Sequence, residues 1–331
     1  MLPENGINFS KNHPSGVASQ RPSAWLKLSG VDAEGFIQGQ CTQDVRRLVA
    51  GRTCWALWLT IKGRVLGETL VWREGAGEAT VWWLWSAHTP GEALRQRLEE
   101  FIIADDVVVE DLSAAGGWEQ VTLAGAAAQS WLRGRLGGIE PPAEGEWRAL
   151  DDGYLFAGRR GQACIWEWLR PERGPLEPEL AALGELRAED LVRARLAAGV
   201  PAIPGEFGAA DLPQEAGLEE VALSFTKGCY LGQEVMARLH AMGRVRRRLV
   251  RVAGAGAAPS AGAGLHDAAE GKRVGELRAA VDDVRGGWLG LAMVNLLGWD
   301  ATRALKLGAE TDVGAGWSVT VLDQPGAEGA R

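Results

Sequence analysis

The densest group of chemically active side chains lies in residues 227–234. A thiol and a phenol stand there between two glycines, directly after a lysine, and helical spacing resumes with Val235, Met236 and Leu239. This pattern predicts a loop that enters a helix, with an i,i+4 charge pair one turn into the helix. The residues of this motif are Lys227, Gly228, Cys229, Tyr230, Gly232, Gln233, Glu234 and Arg238.

Cys229 is the motif residue with the most reactive chemistry. A thiol that precedes a helix N-terminus and stands beside Lys227 experiences a positive potential, and that potential favours the thiolate. Two interpretations follow from the residues alone. Cys229 is a reactive or metal-binding thiol in an exposed loop, or it is a small buried apolar residue in a loop-to-helix turn.

A run of arginines shortly after the motif is a candidate anion site. In an extended segment Arg244, Arg246 and Arg248 share one face. Such a face suits a phosphate or a polyanionic tail. The alternative is a solvent-exposed edge strand whose charges prevent edge-to-edge association.

Other chemically suggestive features are better explained structurally. The glycine-rich residues 254–264 lack the spacing of a phosphate loop and predict a flexible turn. Asp105 and Asp106 are expected to separate a helix from a strand rather than to act as an acid–base pair. Most of the 15 tryptophans are expected in the core. The four cysteines and four histidines show no metal-ligand spacing, so no permanently bound metal is expected.

Composition excludes several classes of protein. The chain has 331 residues, of which 46% are hydrophobic and 24% charged, as in globular domains. The net charge of −8 disfavours direct binding of nucleic acid or an anionic membrane by the whole molecule. No apolar run approaches the ~18 residues of a membrane span. Residues 1–22 lack an apolar signal core, and the scattered cysteines suit reduced thiols, so a cytoplasmic location is expected.

The order of elements predicts an α+β protein in three parts. Residues 1–22 are polar and are expected to form a flexible lead-in. Short strands and helices interleave over residues 23–240 without the regular alternation of a doubly wound sheet. A hairpin is predicted over residues 53–72. Residues 241–331 alternate short strands with turns and predict a small β-barrel.

The cysteine motif closely resembles the signature of the YgfZ branch of the glycine-cleavage T-protein (aminomethyltransferase) superfamily. Further segments agree in the order that the family shows, and together they cover about residues 25–325. These segments are Leu28–Gly30 with Asp32 and Ala33, Phe36–Val45, Lys62–Leu66, Asp105–Val107, Arg195–Pro201 and Leu212–Ala216.

The resemblance implies a three-lobed, ring-like fold. Two α+β lobes and the C-terminal barrel would surround a central folate-binding hole. It implies binding of tetrahydrofolate or a derivative, and assistance in assembling or repairing iron–sulfur enzymes, including radical enzymes of tRNA modification. The implied partners are such enzymes or cluster carrier proteins, with Cys229 as a thiolate ligand or redox thiol.

The resemblance also implies folate contacts, some of which depart from the family pattern. Arg195 lies in one of the segments that resemble the family, and Leu191 stands where some members of the branch have an aromatic residue. Trp25 is the expected stacking partner for the folate ring. Arg246 and Arg248 are expected to hold the negative glutamate tail.

Two carboxylates of the true transferases are not matched, which leaves the enzymatic question open. Gly67-Glu68-Thr69 stands where those enzymes carry paired aspartates, and Ala197 replaces a helical glutamate. This argues against aminomethyl transfer from a lipoyl carrier. The alternatives are a tetrahydrofolate-dependent one-carbon transferase or demethylase, with Glu68 or Asp44 as the polarising carboxylate, and a non-catalytic interaction scaffold.

Overall fold

The computed structural model describes residues 14–161, 164–284, 286–297, 304–308 and 317–323. They form two five-stranded sheets and a closed six-stranded barrel. This is the α+β organisation, with a C-terminal barrel, that the sequence predicts.

The first sheet has the strand order β3-β4-β5-β2-β6, and every pairing in it is antiparallel. The predicted hairpin is its β3–β4 pair. The turn of this hairpin contains Gly63 at φ +71°, a left-handed conformation that favours glycine. The strands are β2 (Ala24–Ser29), β3 (Cys54–Leu59), β4 (Val65–Glu74), β5 (Val81–Ser86) and β6 (Val108–Asp111).

The second sheet has the order β1-β7-β10-β9-β8. Its edge strand β1 corrects the expectation of a flexible lead-in, because Gly16–Gln20 pairs antiparallel with Gln120–Ala124. Residues 1–13 of that lead-in lie outside the described residues. The strands are β1 (Gly16–Gln20), β7 (Trp118–Ala124), β8 (Trp147–Leu150), β9 (Gly153–Ala157) and β10 (Ile165–Pro171).

The C-terminal strands close into a barrel in the order β11-β14-β13-β12-β15-β16. Closure removes the free edges that an open sheet of short strands would expose. The strands are β11 (Arg247–Gly254), β12 (Gly264–Asp267), β13 (Arg273–Asp282), β14 (Trp288–Asn295), β15 (Leu305–Leu307) and β16 (Trp317–Val321).

Helices cover the sheets and connect them to the barrel. The helix of the cysteine motif, α8, begins at Gln233, as the resumed helical spacing predicts. The helices are α1 (Ala33–Gln40), α2 (Gly91–Glu99), α3 (Leu112–Ala115), α4 (Gly125–Arg135), α5 (Pro178–Ala181), α6 (Ala188–Ala197), α7 (Glu219–Ala222) and α8 (Gln233–Met242).

The largest apolar core lies between the two sheets. Trp55, Leu70 and Trp72 from the first sheet pack with Phe156 and Leu169 from the second. Along β3 and β4 the alternate residues belong to a different cluster on the opposite face, which is covered by α1 and α2. The first sheet therefore has two buried faces, and polar groups on these faces occupy separate environments.

Candidate functional site

The cysteine loop, residues 224–232, is fixed against the free edge of the first sheet. Strand β3 is an edge strand, and residues 41–43 lie beside it through an isolated antiparallel bridge between Cys41 and Trp58. Thr42 connects the layers: its backbone N–H donates to Leu57 O at 3.1 Å, and its hydroxyl donates to Ala222 O at 2.6 Å. The backbone N–H of Ser224 donates to Thr42 O at 3.0 Å. The start of the loop is thus held by backbone contacts distant in sequence.

Lys227 holds the loop to the same segment. Its Nζ donates to Cys41 O at 2.9 Å and to Gln43 O at 2.8 Å. The ammonium group also lies 5.0 Å from the centroid of the Tyr230 ring. The sequence suggests that Lys227 acts on Cys229, whereas in the structure its amine binds the carbonyls of residues 41 and 43. Burial lowers the pKa of Lys227.

The second glycine of the motif is required by geometry. Gly232 has φ +85°, and a Cβ there would lie 2.7 Å from Thr60 O. A Cβ on Gly63, in the facing turn, would lie 2.7 Å from Met236 Cε. The start of α8 therefore packs against the β3–β4 turn at a distance that only glycine allows. In contrast, a Cβ on Gly228 would meet nothing within 4 Å.

Cys229 is exposed, in agreement with the first of the two interpretations from the sequence. The buried thiol of this region is Cys41, whose pKa is raised by burial, with a partial offset from the positive charge of Lys227. Burial also raises the pKa of the nearby Cys54 thiol. Of the cysteines near the loop, Cys229 is the one a partner can reach.

The remaining motif residues shape this loop. The Tyr230 ring is buried in the core between the sheets, and its backbone N–H donates to Gln233 Oε1 at 3.3 Å. Glu234 and Arg238 are exposed on α8. The predicted pair between them is not among the ion pairs of the described residues.

A second set of polar side chains is enclosed between the two sheets around Glu68. One Glu68 oxygen accepts from Ser86 Oγ at 2.6 Å, and the other accepts from Trp55 Nε1. Burial raises the pKa of Glu68, and these hydrogen bonds offset part of that rise. Gln120 and Thr122 of β7 approach from the facing sheet and hydrogen-bond to Glu167 Oε2.

Two adjacent arginines bring positive charge to Glu68. Arg160 is 6% exposed and forms a 2.6 Å ion pair with the fully buried Glu167. The half-buried Arg159 lies at the margin of this set: its guanidinium is 4.2 Å above the Trp55 ring and forms a 3.1 Å ion pair with the exposed Glu144. Both arginines interact favourably with the charged form of Glu68. A buried ion pair of this kind is costly unless its remaining hydrogen-bonding capacity is used.

Part of that capacity is unused. Arg160 Nη2, Arg159 Nε and His88 Nε2 are buried atoms without a hydrogen-bond partner. Burial, with contributions from Arg160 and Arg195, lowers the pKa of His88 to about 3, so its imidazole is neutral. Each unpartnered buried donor or acceptor requires an explanation, and hydrogen bonds to a bound ligand or an ordered water are one. We call Glu68, His88, Arg159, Arg160 and Glu167 the buried polar cluster.

The first sheet separates this cluster from the thiols near the cysteine loop. Glu68 points to the face that carries Trp55, whereas Thr69 accepts from Trp58 Nε1 on the opposite face. Asp44 belongs to the thiol side, where it accepts from Gln38 and pairs with Arg47. Glu68 and Asp44, the two predicted polarising carboxylates, are therefore not brought together.

Three predicted folate contacts have other roles in the structure. Trp25 is fully buried and stacks on Trp83 at 4.4 Å and on Trp72 at 5.3 Å, so both ring faces are already covered. Leu191 belongs to a small apolar core. Arg195 is committed to a bidentate pair with Glu206, at 2.6 Å for each bond.

The predicted arginine face lies where the barrel begins. Arg246 is exposed and Arg248 is half-buried. Between them Arg247 forms ion pairs with Asp211 and Glu215. Strand β11 begins at Arg247, so Arg248 is the one member of the predicted arginine face that lies in the strand, and Arg244 and Arg246 precede it.

Sequence reasoning missed His88, Arg159 and Arg160. The available signal was the arginine pair between Gly158 and Gly161. A Cβ on Gly158 would lie 2.9 Å from Glu167 Cγ, and one on Gly161 would lie 3.2 Å from Ala194 O. These glycines let the arginine-bearing turn pack closely against β10 and α6.

Two searches of the described residues gave negative findings. None of the helices in that part of the chain is long and apolar enough to cross a membrane. No group of three or more His, Cys, Asp or Glu in the described ranges is arranged to hold a metal ion.

Comparisons with known proteins agree with the resemblance inferred from the motif. Residues 246–323 match the family described as CAF17, C-terminal beta-barrel domain. The chain is 25% identical over 254 residues to the tRNA-modifying protein YgfZ of Sodalis glossinidius (strain morsitans), covering 76% of this chain and 75% of the relative. Its fold matches the crystal structure of glycine cleavage system aminomethyltransferase T from Bartonella henselae, with TM-score 0.74, 17% identity, and coverage of 94% of this chain and 86% of that one. The resemblance and the fold class are confirmed.

Proposed function

We propose, for a chain that resembles the YgfZ branch of the aminomethyltransferase superfamily, that it binds tetrahydrofolate or a derivative and assists the assembly or repair of iron–sulfur enzymes. These include radical enzymes of tRNA modification. In this proposal the folate ring occupies the buried polar cluster, and Cys229 is the thiol presented to client enzymes or cluster carrier proteins in the cytoplasm.

The observation that carries the folate part is the set of unpartnered polar atoms in the buried polar cluster. A pterin ring presents adjacent N–H donors and a carbonyl acceptor on one edge. Each Glu68 oxygen already accepts one hydrogen bond, and a carboxylate offers about four lone-pair sites in total, so two remain for such donors. Arg160 Nη2 and Arg159 Nε would donate to the carbonyl. The donors and acceptors of the buried polar cluster thus match the hydrogen-bonding edge of a pterin ring.

The cluster would bind and orient the folate ring in a site with little water. Neutral His88 would accept a hydrogen bond from a ring N–H through Nε2 or donate one to a ring nitrogen, depending on its tautomer. Bound tetrahydrofolate supplies nitrogen atoms that carry one-carbon units. Interactions between ligand and charged groups are stronger here than in water because the surroundings have a low dielectric constant.

The iron–sulfur part depends on the accessibility of Cys229. Cys229 itself is exposed, yet Lys227, Thr42 and Gly232 fix the flanking backbone to the first sheet. A preorganised exposed thiol suits transient contact with a metal cluster held by another protein, because thiolates are the ligands that iron–sulfur clusters use.

A second candidate function is supported by the raised pKa of Glu68. A buried carboxyl with a raised pKa is suited to donate a proton to a folate nitrogen, as one-carbon transfer or demethylation requires. Turnover of methylated amine donors by the purified protein with tetrahydrofolate would support this candidate. Glu68 would then act alone, since Asp44 lies on the other side of the sheet.

The test compares cells that carry Cys229→Ala with cells that carry Cys164→Ala. Cys164 is the matched control, because it is also an exposed cysteine but lies outside the motif. The proposal predicts reduced activity of iron–sulfur enzymes with Cys229→Ala and normal activity with Cys164→Ala. Normal activity with Cys229→Ala would contradict it. Folate binding by purified Cys229→Ala is expected to be retained, which separates the two parts of the proposal.

A further inference from the structure

Five tryptophans lie around Tyr154 between the two sheets, in an aromatic core that continues through Phe156 to Trp85. Their neighbouring ring centroids lie 4.4 to 6.3 Å apart, and the closest pair is Trp25 stacked on Trp83 with an interplanar angle of 9°. We call this the aromatic cluster. Its members are Trp25, Trp72, Trp83, Trp118, Trp147 and Tyr154.

Tyr154 is the hub of the aromatic cluster. Its ring lies 5.1 Å from Trp83 and 5.7 Å from Trp147, and it also contacts the other three tryptophans. Its hydroxyl donates a 2.8 Å hydrogen bond to Glu74 Oε2. The same oxygen accepts from Trp83 Nε1 at 3.1 Å. One carboxylate oxygen therefore contacts both a phenol and an indole that lie against each other.

Burial and the bond to Glu74 raise the pKa of Tyr154. The phenol is therefore un-ionised, with its proton already directed at a base. Oxidation of a tyrosine makes its hydroxyl strongly acidic, so it proceeds readily only where a base receives the proton at once. Tryptophans at van der Waals distance provide the overlap through which an electron moves.

We propose that Tyr154 is a redox-active tyrosine that accepts oxidising equivalents collected by the surrounding tryptophans. An oxygen-centred or organic radical at the surface removes one electron from a tryptophan of the cluster and is reduced. The tryptophan radical cation takes an electron from Tyr154, while the phenolic proton moves to Glu74 Oε2. The products are a neutral tyrosyl radical, a neutral Glu74 carboxylic acid and a restored tryptophan.

Trp118, Trp147 and Tyr154 are half-buried, whereas Trp25 and Trp72 are fully buried. Trp118 and Trp147 offer points of entry, and the direction of transfer toward Tyr154 follows from the base at its hydroxyl. The oxidising equivalent would thus come to rest on a phenol between the sheets, where a small reductant can later restore it through the same tryptophans. Iron held near Cys229, as the proposed function has it, would produce such oxidants. The arrangement of the aromatic cluster does not depend on a folate site.

The chain contains a matched control, because Tyr230 is its second and last tyrosine. The Tyr230 hydroxyl is buried without a hydrogen-bond partner. The positive Lys227 amine lies against its ring and opposes formation of a cationic radical. Tyr230 thus lacks both the base and the tryptophan neighbours that Tyr154 has among the described ring contacts.

The test uses photogenerated ruthenium(III) tris(bipyridine) as the one-electron oxidant, with electron paramagnetic resonance of samples frozen after the flash. Wild type and Tyr230→Phe are expected to give a tyrosyl radical signal. Tyr154→Phe is expected to give only tryptophan radical signals. Glu74→Gln keeps an oxygen that can accept the hydrogen bond but not the proton, so the tyrosyl yield is expected to fall several-fold.

Two results would overturn the proposal. A tyrosyl signal that is lost in Tyr230→Phe would place the radical on the wrong residue. A yield that is unchanged in Glu74→Gln would show that the carboxylate does not take the proton. Each substitution removes or exchanges a single polar group, and the Tyr230→Phe protein tests Tyr154 even if Tyr154→Phe fails to fold. A purely structural role for the aromatic cluster would not predict this pattern of signals.

Discussion

Glu68→Gln is the substitution that most sharply tests the buried polar cluster as a ligand site. Glutamine keeps the shape of the side chain and removes its charge. Trp55 Nε1 and Ser86 Oγ each donate to one oxygen of Glu68. In Glu68→Gln one of these two positions becomes an NH2 group, which donates rather than accepts. Ser86 Oγ already accepts from the backbone N–H groups of His88 and Thr89, so it cannot accept from the new amide as well, and the urea midpoint of Glu68→Gln is measured beside its affinity.

The expected loss of affinity follows from the bonds that Glu68 would make to a pterin. A hydrogen bond to a charged acceptor contributes about 1.5–3 kcal/mol, and about 1.4 kcal/mol corresponds to a tenfold change in affinity. Loss of one such bond predicts tetrahydrofolate binding that is about 10- to 100-fold weaker.

The dependence on pH provides an independent check. Burial raises the pKa of Glu68, so wild-type affinity is expected to fall as the pH is lowered through that raised pKa, and this fall is absent in Glu68→Gln. The free energy of unfolding depends on pH in the opposite direction to the affinity. A raised pKa means that the folded state holds the proton more tightly, so the stability from Glu68 is complete below about pH 4.3 and is lost as the pH rises through the raised pKa.

The assay is titration with tetrahydrofolate, followed by tryptophan fluorescence and calorimetry. Glu177→Gln is the control, because it makes the same chemical change at an ion pair with Arg170 outside the cluster. Glu177→Gln is expected to bind as wild type does. Equal affinity of Glu68→Gln and wild type would refute the assignment of Glu68 as a ligand contact.

Three further predictions concern the cysteine loop and the arginine face. Lys227→Met removes the donor to the carbonyls of Cys41 and Gln43 and is expected to lower the free energy of unfolding in urea by about 1–3 kcal/mol. An unchanged urea midpoint would contradict a stabilising role for these two hydrogen bonds. Gly232→Ala is expected to cost at least ~1 kcal/mol because of its left-handed φ and its close contact, whereas Gly228→Ala is expected to leave the melting temperature unchanged. Charge reversal of Arg246 and Arg248 is expected to weaken polyglutamylated folate more than the monoglutamate, and equal affinities would eliminate the proposed tail site.

Local sequence signals predicted the elements whose structure is decided locally. The β3–β4 hairpin follows from two apolar runs around a glycine turn, and the start of α8 follows from resumed helical spacing after Gly232. Strand β1 was missed because Gly16–Gln20 is short and partly polar. Its order comes from pairing with β7, more than a hundred residues later.

The candidate sites show the same division between local and long-range determinants. A loop that enters a helix was predictable from the spacing at residues 227–234, whereas the sequence left open whether Cys229 is exposed or buried, and the structure exposes it. The partner of Lys227 was not, because residues 41 and 43 reach it only through the edge of the first sheet. The buried polar cluster unites residues from different strands and turns of both sheets, so the sequence predicted only Glu68, and the one local signal for the rest was the arginine pair between Gly158 and Gly161. Trp25 failed as a stacking residue because neighbouring tryptophans cover both of its faces.

The central claim is that the chain binds a reduced folate. The most direct test is titration of the purified protein with tetrahydrofolate and its 5-formyl derivative, with calorimetry and an inner-filter control for the fluorescence of the 15 tryptophans. The account predicts saturable binding at micromolar concentrations. An absence of binding up to about millimolar, which is weaker than roughly −4 kcal/mol, would contradict it.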